Sequence, residues 1–323
     1  MRILFITWGR LGDAALSTSL VNYLTELHPG AKFTIAGSPP ALDLFSGAPG
    51  LEKLIPMVKK PYGMHWFDLW RETVDKKWDM VIDLRRSALS YFLLTKKRYF
   101  LGQTNYKNRV HRLVDLAKIF DLIATFPPKI WLTDQAKQTA NNLLNKPGPY
   151  LAIAPTANWI GKQWAGENFA EAAQRLTAAG GVLAGATIVV FGASQERVAA
   201  QACLEALYGL PVIDLIGKTT PLTAAACLAR CQLFIGNDSG LMHIAATMEI
   251  PTIGLFGPSY PEQYGPFGAR TAVVQTPLPP QALVDSIPNY NRHTTGSLMG
   301  SIHPDQVIKA ANKLLGRAKA AAA

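Results

Sequence analysis

The chain has 323 residues, of which 49% are hydrophobic and 17% charged, so it is long enough for two domains and too apolar for intrinsic disorder. No stretch approaches the roughly 20 apolar residues that span a bilayer, and the N-terminus lacks a signal-peptide pattern, so we expect a cytoplasmic protein. The formal net charge of +10 lies almost wholly in the first half, where residues 1–150 hold 21 Lys and Arg against 12 Asp and Glu.

Short apolar runs alternate with helical patterns in the first half of the chain. The turn GRLGD leads from the first predicted strand into a helix over AALSTSLVNYLTEL. The strands predicted here are RILFITW, KFTIAG, LEKLIP and WDMVIDL. This alternation indicates a mostly parallel sheet with helices on both faces.

The second half repeats this pattern after the loop LLNKPGPY. Its predicted strands are YLAIAP, ATIVVFG, PVIDL, QLFIG and PTIGLFG, with helices between them. A last helix, PDQVIKAANKLLG, is predicted to begin at Pro304 and to end at Gly316. We therefore predict two doubly wound domains, residues 1–148 and 149–303, followed by a C-terminal helix and tail over residues 304–323.

The stretch FIGNDSGLMHIAA, residues 234–246, is a predicted strand-to-helix turn. A helix N-terminus at the carboxyl end of a strand offers free N–H groups to an anion, and Ser239 and Gly240 are placed to bind phosphate there. Helix capping by Asp238 or Ser239 fits the same residues. His243 considered alone is more typical of a packed histidine.

Two further turns carry chemistry-bearing side chains. The turn APTANWIGKQW follows a strand and contains Thr156 and Lys162, and a lysine suits a diphosphate although a lone surface lysine is also common. The turn WGRLGD places Asp13 at the start of the first helix, either as a structural cap or as a catalytic carboxylate. Its glycine spacing is neither a dinucleotide fingerprint nor a phosphate loop.

The segment from Leu84 to Leu113 is strongly basic and contains no acidic residue. Such a segment suggests an anionic ligand, and nucleic acid, an acidic lipid and a phosphorylated glycolipid all fit this description. Its cations are Arg85, Arg86, Lys96, Lys97, Arg98, Lys107, Arg109 and Arg112. The sequence has no DxD pair and no HxxxH spacing, so no metal site is predicted, and the three cysteines are expected to be buried reduced thiols.

Three segments taken together resemble glycosyltransferase family 9, the ADP-heptose:lipopolysaccharide heptosyltransferases. They are MRILFITWGRLGDAALSTSLVNYL, GKQWAGENFAEAAQRL and IGNDSGLMHIAATMEIPTIGLFGPSYPEQYGPFG. The resemblance implies a GT-B architecture of two doubly wound Rossmann-like domains facing a cleft. The N-terminal domain would bind the acceptor and the C-terminal domain the nucleotide sugar.

The resemblance also implies roles for individual residues. Asp13 matches the family's general base, and the transfer would invert the anomeric centre without a metal or cofactor. The implied donor-binding residues are Thr156, Lys162, Glu196, Asp238, Ser239, Gly240 and His243. The implied acceptor is a phosphorylated lipopolysaccharide core at the inner face of the inner membrane, which the protein would reach peripherally. The expected acceptor-binding residues are Arg85, Arg86, Lys96, Lys97, Arg98, Arg109 and Arg112.

Other functions fit parts of the sequence. A family relative could transfer another nucleotide-activated sugar, or could glycosylate a protein. A nucleotide-binding oxidoreductase is disfavoured because the glycine fingerprint is missing. A nucleic-acid-binding protein using the basic segment is disfavoured because no recognition motif accompanies it.

Overall fold

The computed structural model describes residues 1–102, 109–146, 148–292 and 294–322. The chain forms two compact units, the first comprising residues 1–134 and 220–222 and the second residues 135–219 and 223–323. Within the described ranges, no helix is long and apolar enough to cross a membrane.

The first unit contains a five-stranded parallel sheet in the order β3-β2-β1-β4-β5. Its strands are β1 (Arg2–Ile6), β2 (Lys32–Gly37), β3 (Leu51–Pro56), β4 (Trp78–Asp83) and β5 (Thr95–Phe100). Its helices are α1 (Leu11–Leu27), α2 (Pro39–Asp43), α3 (Met64–Thr73) and α4 (Arg112–Ala117). The central strand β1 is fully buried from Ile3 to Ile6 because it lies between β2 and β4 and has helices on both faces.

The second unit contains a six-stranded parallel sheet in the order β11-β10-β9-β6-β7-β8. Its strands are β6 (Tyr150–Ala154), β7 (Thr187–Val190), β8 (Val212–Asp214), β9 (Leu233–Asn237), β10 (Thr252–Phe256) and β11 (Thr271–Gln275). The helices of this half of the chain are α5 (Asp134–Leu143), α6 (Gly166–Thr177), α7 (Gln201–Ala206), α8 (Pro221–Leu228), α9 (Gly240–Thr247), α10 (Pro261–Tyr264), α11 (Pro280–Asp285) and α12 (Pro304–Ala322).

The sequence predicts nine of the eleven strands. β5 and β11 were missed, and both are edge strands in which most side chains remain partly or fully exposed. The helix predicted over SQERVAAQACLEAL is divided into a 3₁₀ turn at Ser194–Glu196 and the shorter α7. The last helix continues past Gly316 to Ala322, because the alanines that follow favour helix strongly enough to carry it past one glycine.

The two units divide in sequence at residues 134 and 135, whereas the predicted domain boundary lies at residue 148. The helix α5 begins at this division and precedes the sheet of the second unit in sequence. The C-terminal α12 packs its buried Val307 and Ala311 in the same core as residues of β6, β9 and β10. The final helix is therefore an integral part of the second unit.

Candidate active site

The second sheet changes winding direction between β6 and β9. The chain runs from β6 outward to β7 and β8 and then returns to β9, which lies on the other side of β6. The register pairs Ala154 with Gly236, so the turns that follow the two strands begin side by side. In open parallel sheets such a switch point is the usual place for a ligand.

Lys162 and Asp238 meet at this switch point. Lys162 ends a 3₁₀ turn, Ile160–Lys162, in the loop after β6, and Asp238 directly follows β9. The ammonium group donates a hydrogen bond to Oδ2 of Asp238, and the two side chains are only 17% and 6% exposed. The two turns that the sequence singled out separately therefore form one charged site.

Asn237 holds the two turns together, a role that the sequence analysis missed. Its Oδ1 accepts a hydrogen bond from the backbone N–H of Trp164 at 3.1 Å, and its Nδ2 donates to the carbonyl of Pro155 at 3.0 Å. The side chain is fully buried. A buried amide whose two ends are satisfied by the neighbouring loop fixes the position of Lys162 relative to the Asp238 turn.

Ser239 is the N-cap residue of α9, yet its side chain makes no capping hydrogen bond. Its Oγ is buried and has no hydrogen-bond partner among the residues that the structure describes. A buried hydroxyl without a partner is costly, whereas a ligand at this helix N-terminus would satisfy it together with the N–H groups that begin at Gly240. His243, one turn into α9, is 4% exposed, and its Nε2 lies 4.0 Å from Oδ1 of Asp238.

Thr156 and Glu196 lie at the neighbouring strand ends. Thr156 is 3% exposed in the loop after β6, and Glu196 lies in the 3₁₀ turn after β7. Oε2 of Glu196 accepts a hydrogen bond from the backbone N–H of Ala193 at 2.7 Å. A Cβ atom on Gly192 would lie 3.5 Å from both Oε2 of Glu196 and Oγ1 of Thr156, so the two polar side chains lie beside this glycine.

In the first unit, Asp13 lies in the first turn of α1, directly after the switch-point strand β1. The Nε atom of Arg112 lies 3.9 Å from Oδ1 of Asp13, and the two side chains are 13% and 14% exposed. The same guanidinium covers the Trp8 ring at 5.4 Å from its centroid and approaches Asp115 at 3.6 Å. Arg112 thus forms part of the surroundings of Asp13 and is not a freely exposed cation.

Asp83, fully buried at the end of β4, organises the loop that carries Arg85 and Arg86. One carboxylate oxygen accepts from the backbone N–H of Arg85, and the other accepts from Ser87 and Ser90. Arg86 adopts a left-handed backbone conformation with φ of 53° and is exposed.

The Arg85 guanidinium stacks over the indole ring of Trp66 at 4.5 Å. Partial burial lowers the pKa of Arg85 from its ordinary value.

The remaining cations of the basic segment have different surroundings. Lys96 pairs with Asp79 at 2.7 Å, and Arg98 donates to the backbone carbonyls of Ser90 and Leu93 at 2.8 and 2.7 Å. Lys97 is exposed on β5. Arg109 is exposed with φ of 40°, and Lys107 lies outside the described residues.

The two parallel-sheet α/β units have the GT-B fold, and a lysine beside a helix N-terminus lies at the switch point of the second sheet. The model of glycosyltransferase family 9 (heptosyltransferase) matches residues 76–288. The chain belongs to this family, and it is a glycosyltransferase.

The chain is similar to individual heptosyltransferases over nearly the full length of both proteins. The chain is 26% identical to lipooligosaccharide heptosyltransferase 2 of Haemophilus ducreyi, with 98% of this chain and 99% of the relative covered. Its fold matches that of E. coli ADP-heptose lps heptosyltransferase II with a TM-score of 0.78, at 22% identity and with 99% of this chain and 100% of that chain covered. It also matches E. coli heptosyltransferase WaaC with ADP, with a TM-score of 0.72, 18% identity and coverage of 97% and 100%.

Proposed function

We propose that the protein transfers heptose from ADP-heptose to the core of lipopolysaccharide, with inversion and without a metal ion. The observation that carries the proposal is the Lys162–Asp238 pair beside the unsatisfied Ser239 hydroxyl, at the N-terminus of α9. It is supported by membership of the heptosyltransferase family and by relatives whose names specify this donor and this acceptor.

The site suits a diphosphate leaving group. As the glycosidic bond breaks, negative charge grows on the diphosphate, and groups that are already oriented stabilise it more in the transition state than in the ground state. An ammonium group has three N–H donors, of which Asp238 occupies one, so Lys162 keeps donors for phosphate oxygens. The Ser239 hydroxyl and the first N–H groups of α9 supply the rest.

The nucleoside would lie beside Gly192. Glu196 and Thr156 both lie beside this glycine, and a carboxylate there can accept hydrogen bonds from ribose hydroxyl groups. This arrangement supports the donor role that the resemblance implies for both residues. The buried His243 lies next to Asp238 and would limit the movement of its carboxylate.

Asp13 would accept the proton of the attacking acceptor hydroxyl. Its position in the first turn of α1, where the sheet of the first unit changes direction, suits a group that acts on a bound substrate. The Arg112 guanidinium, whose Nε lies 3.9 Å from Oδ1 of Asp13, would hold this carboxylate in place while it acts as the base.

The acceptor proposal is supported by an apolar and basic surface of the first unit. Four exposed apolar side chains follow β3, and three more follow β4, namely Val58, Tyr62, Met64, Phe67, Tyr91, Phe92 and Leu94. The two segments are neighbours, because Leu89 and Leu93 share a core cluster with Trp66 and Trp70. Exposed aromatic rings among cations suit the interface of an anionic membrane, where a glycolipid acceptor would be reached.

Transfer assays with purified protein test the donor and the acceptor together. We expect turnover with ADP-heptose and a lipopolysaccharide-core acceptor, and little with UDP-sugars. Preincubation with EDTA should leave the rate unchanged. Selective turnover with another nucleotide sugar, or with a protein acceptor, would replace this proposal with one of the alternative transferases.

A vesicle assay tests the acceptor surface separately. The native protein should sediment with vesicles containing anionic lipid, and Phe92→Ser should weaken this association while leaving ADP binding unchanged. Ile123→Ser, at an exposed apolar side chain that follows α4, is the matched control. Equal sedimentation of native protein and both variants would contradict peripheral attachment through this surface.

A further inference from the structure

An aromatic and cationic cluster lies beside Lys162 and is assigned no role by the proposed function. We call Trp159, Tyr290 and Arg292 the Trp159 cluster. The rings of Trp159 and Tyr290 meet edge to face, with centroids 6.3 Å apart. The guanidinium carbon of Arg292 lies 5.3 Å from the Trp159 ring centroid, and Nζ of Lys162 lies 5.5 Å from the same centroid.

Two hydrogen-bond donors of the cluster are unsatisfied. Nε1 of Trp159 and the hydroxyl oxygen of Tyr290 are buried, and neither has a hydrogen-bond partner within the described part of the chain. A Cβ atom on Gly161 would lie 2.9 Å from the indole nitrogen and 3.3 Å from the hydroxyl oxygen, so both donors lie beside the backbone of Gly161. Glycine at position 161 is what allows them to approach so closely.

The segment that carries Tyr290 and Arg292 is attached to the Lys162 loop. The backbone N–H of Leu298 donates to the carbonyl of Gly161 at 3.0 Å, and the Ser297 hydroxyl donates to the carbonyl of Gln163 at 2.5 Å. Within the segment, the backbone N–H of Asn291 donates to Oγ1 of Thr295 at 2.9 Å. The hydrogen bonds of Ser297 and Leu298 therefore attach the segment that follows the cluster to the loop that carries Lys162.

The charges of the cluster are unbalanced. Asp238 pairs with Lys162, whereas Arg292 has no carboxylate within ion-pair distance among the residues described. Cation–π attraction holds both cations against the same indole, but like charges close together favour binding of an anion. An indole N–H and a guanidinium can only donate hydrogen bonds, so the matching ligand is rich in acceptor atoms.

We propose that the Trp159 cluster is a phosphate-binding subsite that extends the Lys162 site. This inference rests on the proposed function, because the phosphate belongs to one of its two substrates. It is either a phosphate of the donor's diphosphate or a phosphate group on the acceptor. A neutral sugar hydroxyl would not account for two cations over one ring.

Calorimetric titration with inorganic pyrophosphate, ADP and adenosine tests the subsite. For a donor phosphate, Arg292→Ala should raise the Kd of pyrophosphate and ADP about tenfold, as loss of a hydrogen bond to a charged group does, and leave adenosine unchanged. Tyr290→Phe removes one oxygen atom and should raise the same two constants about threefold, the effect of losing a net hydrogen bond. This variant keeps the test valid if Arg292→Ala does not fold.

For an acceptor phosphate, Arg292→Ala should leave ADP binding intact and raise the KM of a phosphorylated acceptor about tenfold, without effect on the dephosphorylated acceptor. The control is Lys309→Ala, at an exposed lysine on α12. The inference is overturned if Arg292→Ala and Tyr290→Phe match this control in every titration and assay. Failure of the native protein to bind ADP would instead refute the proposed donor, and the pyrophosphate titration would still decide the subsite.

Discussion

The buried Lys162–Asp238 pair predicts a loss of stability that can be separated from the loss of catalysis. Lys162→Met keeps the aliphatic part of the side chain but leaves the 6% exposed Asp238 carboxylate without its ammonium partner. Removing one partner of a buried ion pair costs about 3–5 kcal/mol. Because Lys162 is 17% exposed, we expect the lower end of that range, about 3 kcal/mol in the free energy of unfolding.

A double-mutant cycle isolates the interaction. Asp238→Asn removes the carboxylate charge, and the double variant Lys162→Met/Asp238→Asn leaves neither charge buried alone. We expect the double variant to be more stable than Lys162→Met, with a coupling energy of about 2 kcal/mol. Lys309→Met, at an exposed lysine of the same unit, controls for the substitution itself.

Thermal unfolding followed by circular dichroism measures these differences. A change of 1 kcal/mol shifts Tm by about 2–4 °C in domains of roughly 150–250 residues, so Lys162→Met should lower Tm by about 6–12 °C. Titration of ADP into the double variant then reports the loss of binding with a smaller loss of stability than in Lys162→Met. A Tm within about 2 °C of the Lys309→Met control, with additive effects in the cycle, would refute a buried and coupled ion pair.

Three further predictions concern other parts of the chain. Asp13→Asn should lower kcat by about 10²- to 10⁴-fold in steady-state assays and leave ADP binding intact, whereas near-normal turnover would leave Asp13 only a structural role. Acceptor KM should rise with ionic strength while donor KM changes less, because exposed cations are screened over about 8 Å at physiological salt; a salt-independent acceptor KM would contradict the role of the basic segment. Burial raises the pKa of the Cys203 and Cys227 thiols to about 12, so a thiol reagent should remain unreactive up to about pH 10 until denaturant is added.

Most of the strands that the sequence predicts are largely apolar, although the partly exposed edge strands β3 and β8 were predicted as well. β6, β9 and β10 are buried at every position, as expected for central strands of a parallel sheet. β5, TKKRYF, and β11, TAVVQ, pair with one neighbour only and keep exposed residues. Lysines on an edge strand discourage pairing with another chain, and in β5 these lysines also remove the apolar signal that sequence analysis uses.

Residues of the candidate site could be selected from the sequence where they lie in a turn between a strand and a helix, and less readily where their position depends on tertiary packing. Asp238 and Lys162 each lie in a strand-to-helix turn and could be selected on that basis. The hydrogen bond between Asn237 and the loop after β6 forms only because β6 is the neighbour of β9 in the sheet. The order of strands in a sheet cannot be read from the local sequence. The same holds for Tyr290 and Arg292, which lie more than a hundred residues from the indole that they contact.

The positively charged side chains of the basic segment have several different physical roles. Arg98 donates hydrogen bonds to two backbone carbonyls, and Arg112 lies against Asp13 and Trp8. The Arg112 side chain is only 13% exposed, so its charge is weakly screened and acts mainly on local structure, whereas the exposed Arg86, Lys97 and Arg98 contribute to the long-range field. The net charge of the segment therefore overstates the number of cations that are available to an anionic ligand, because local contacts such as those of Arg112 and Arg98 engage some of them.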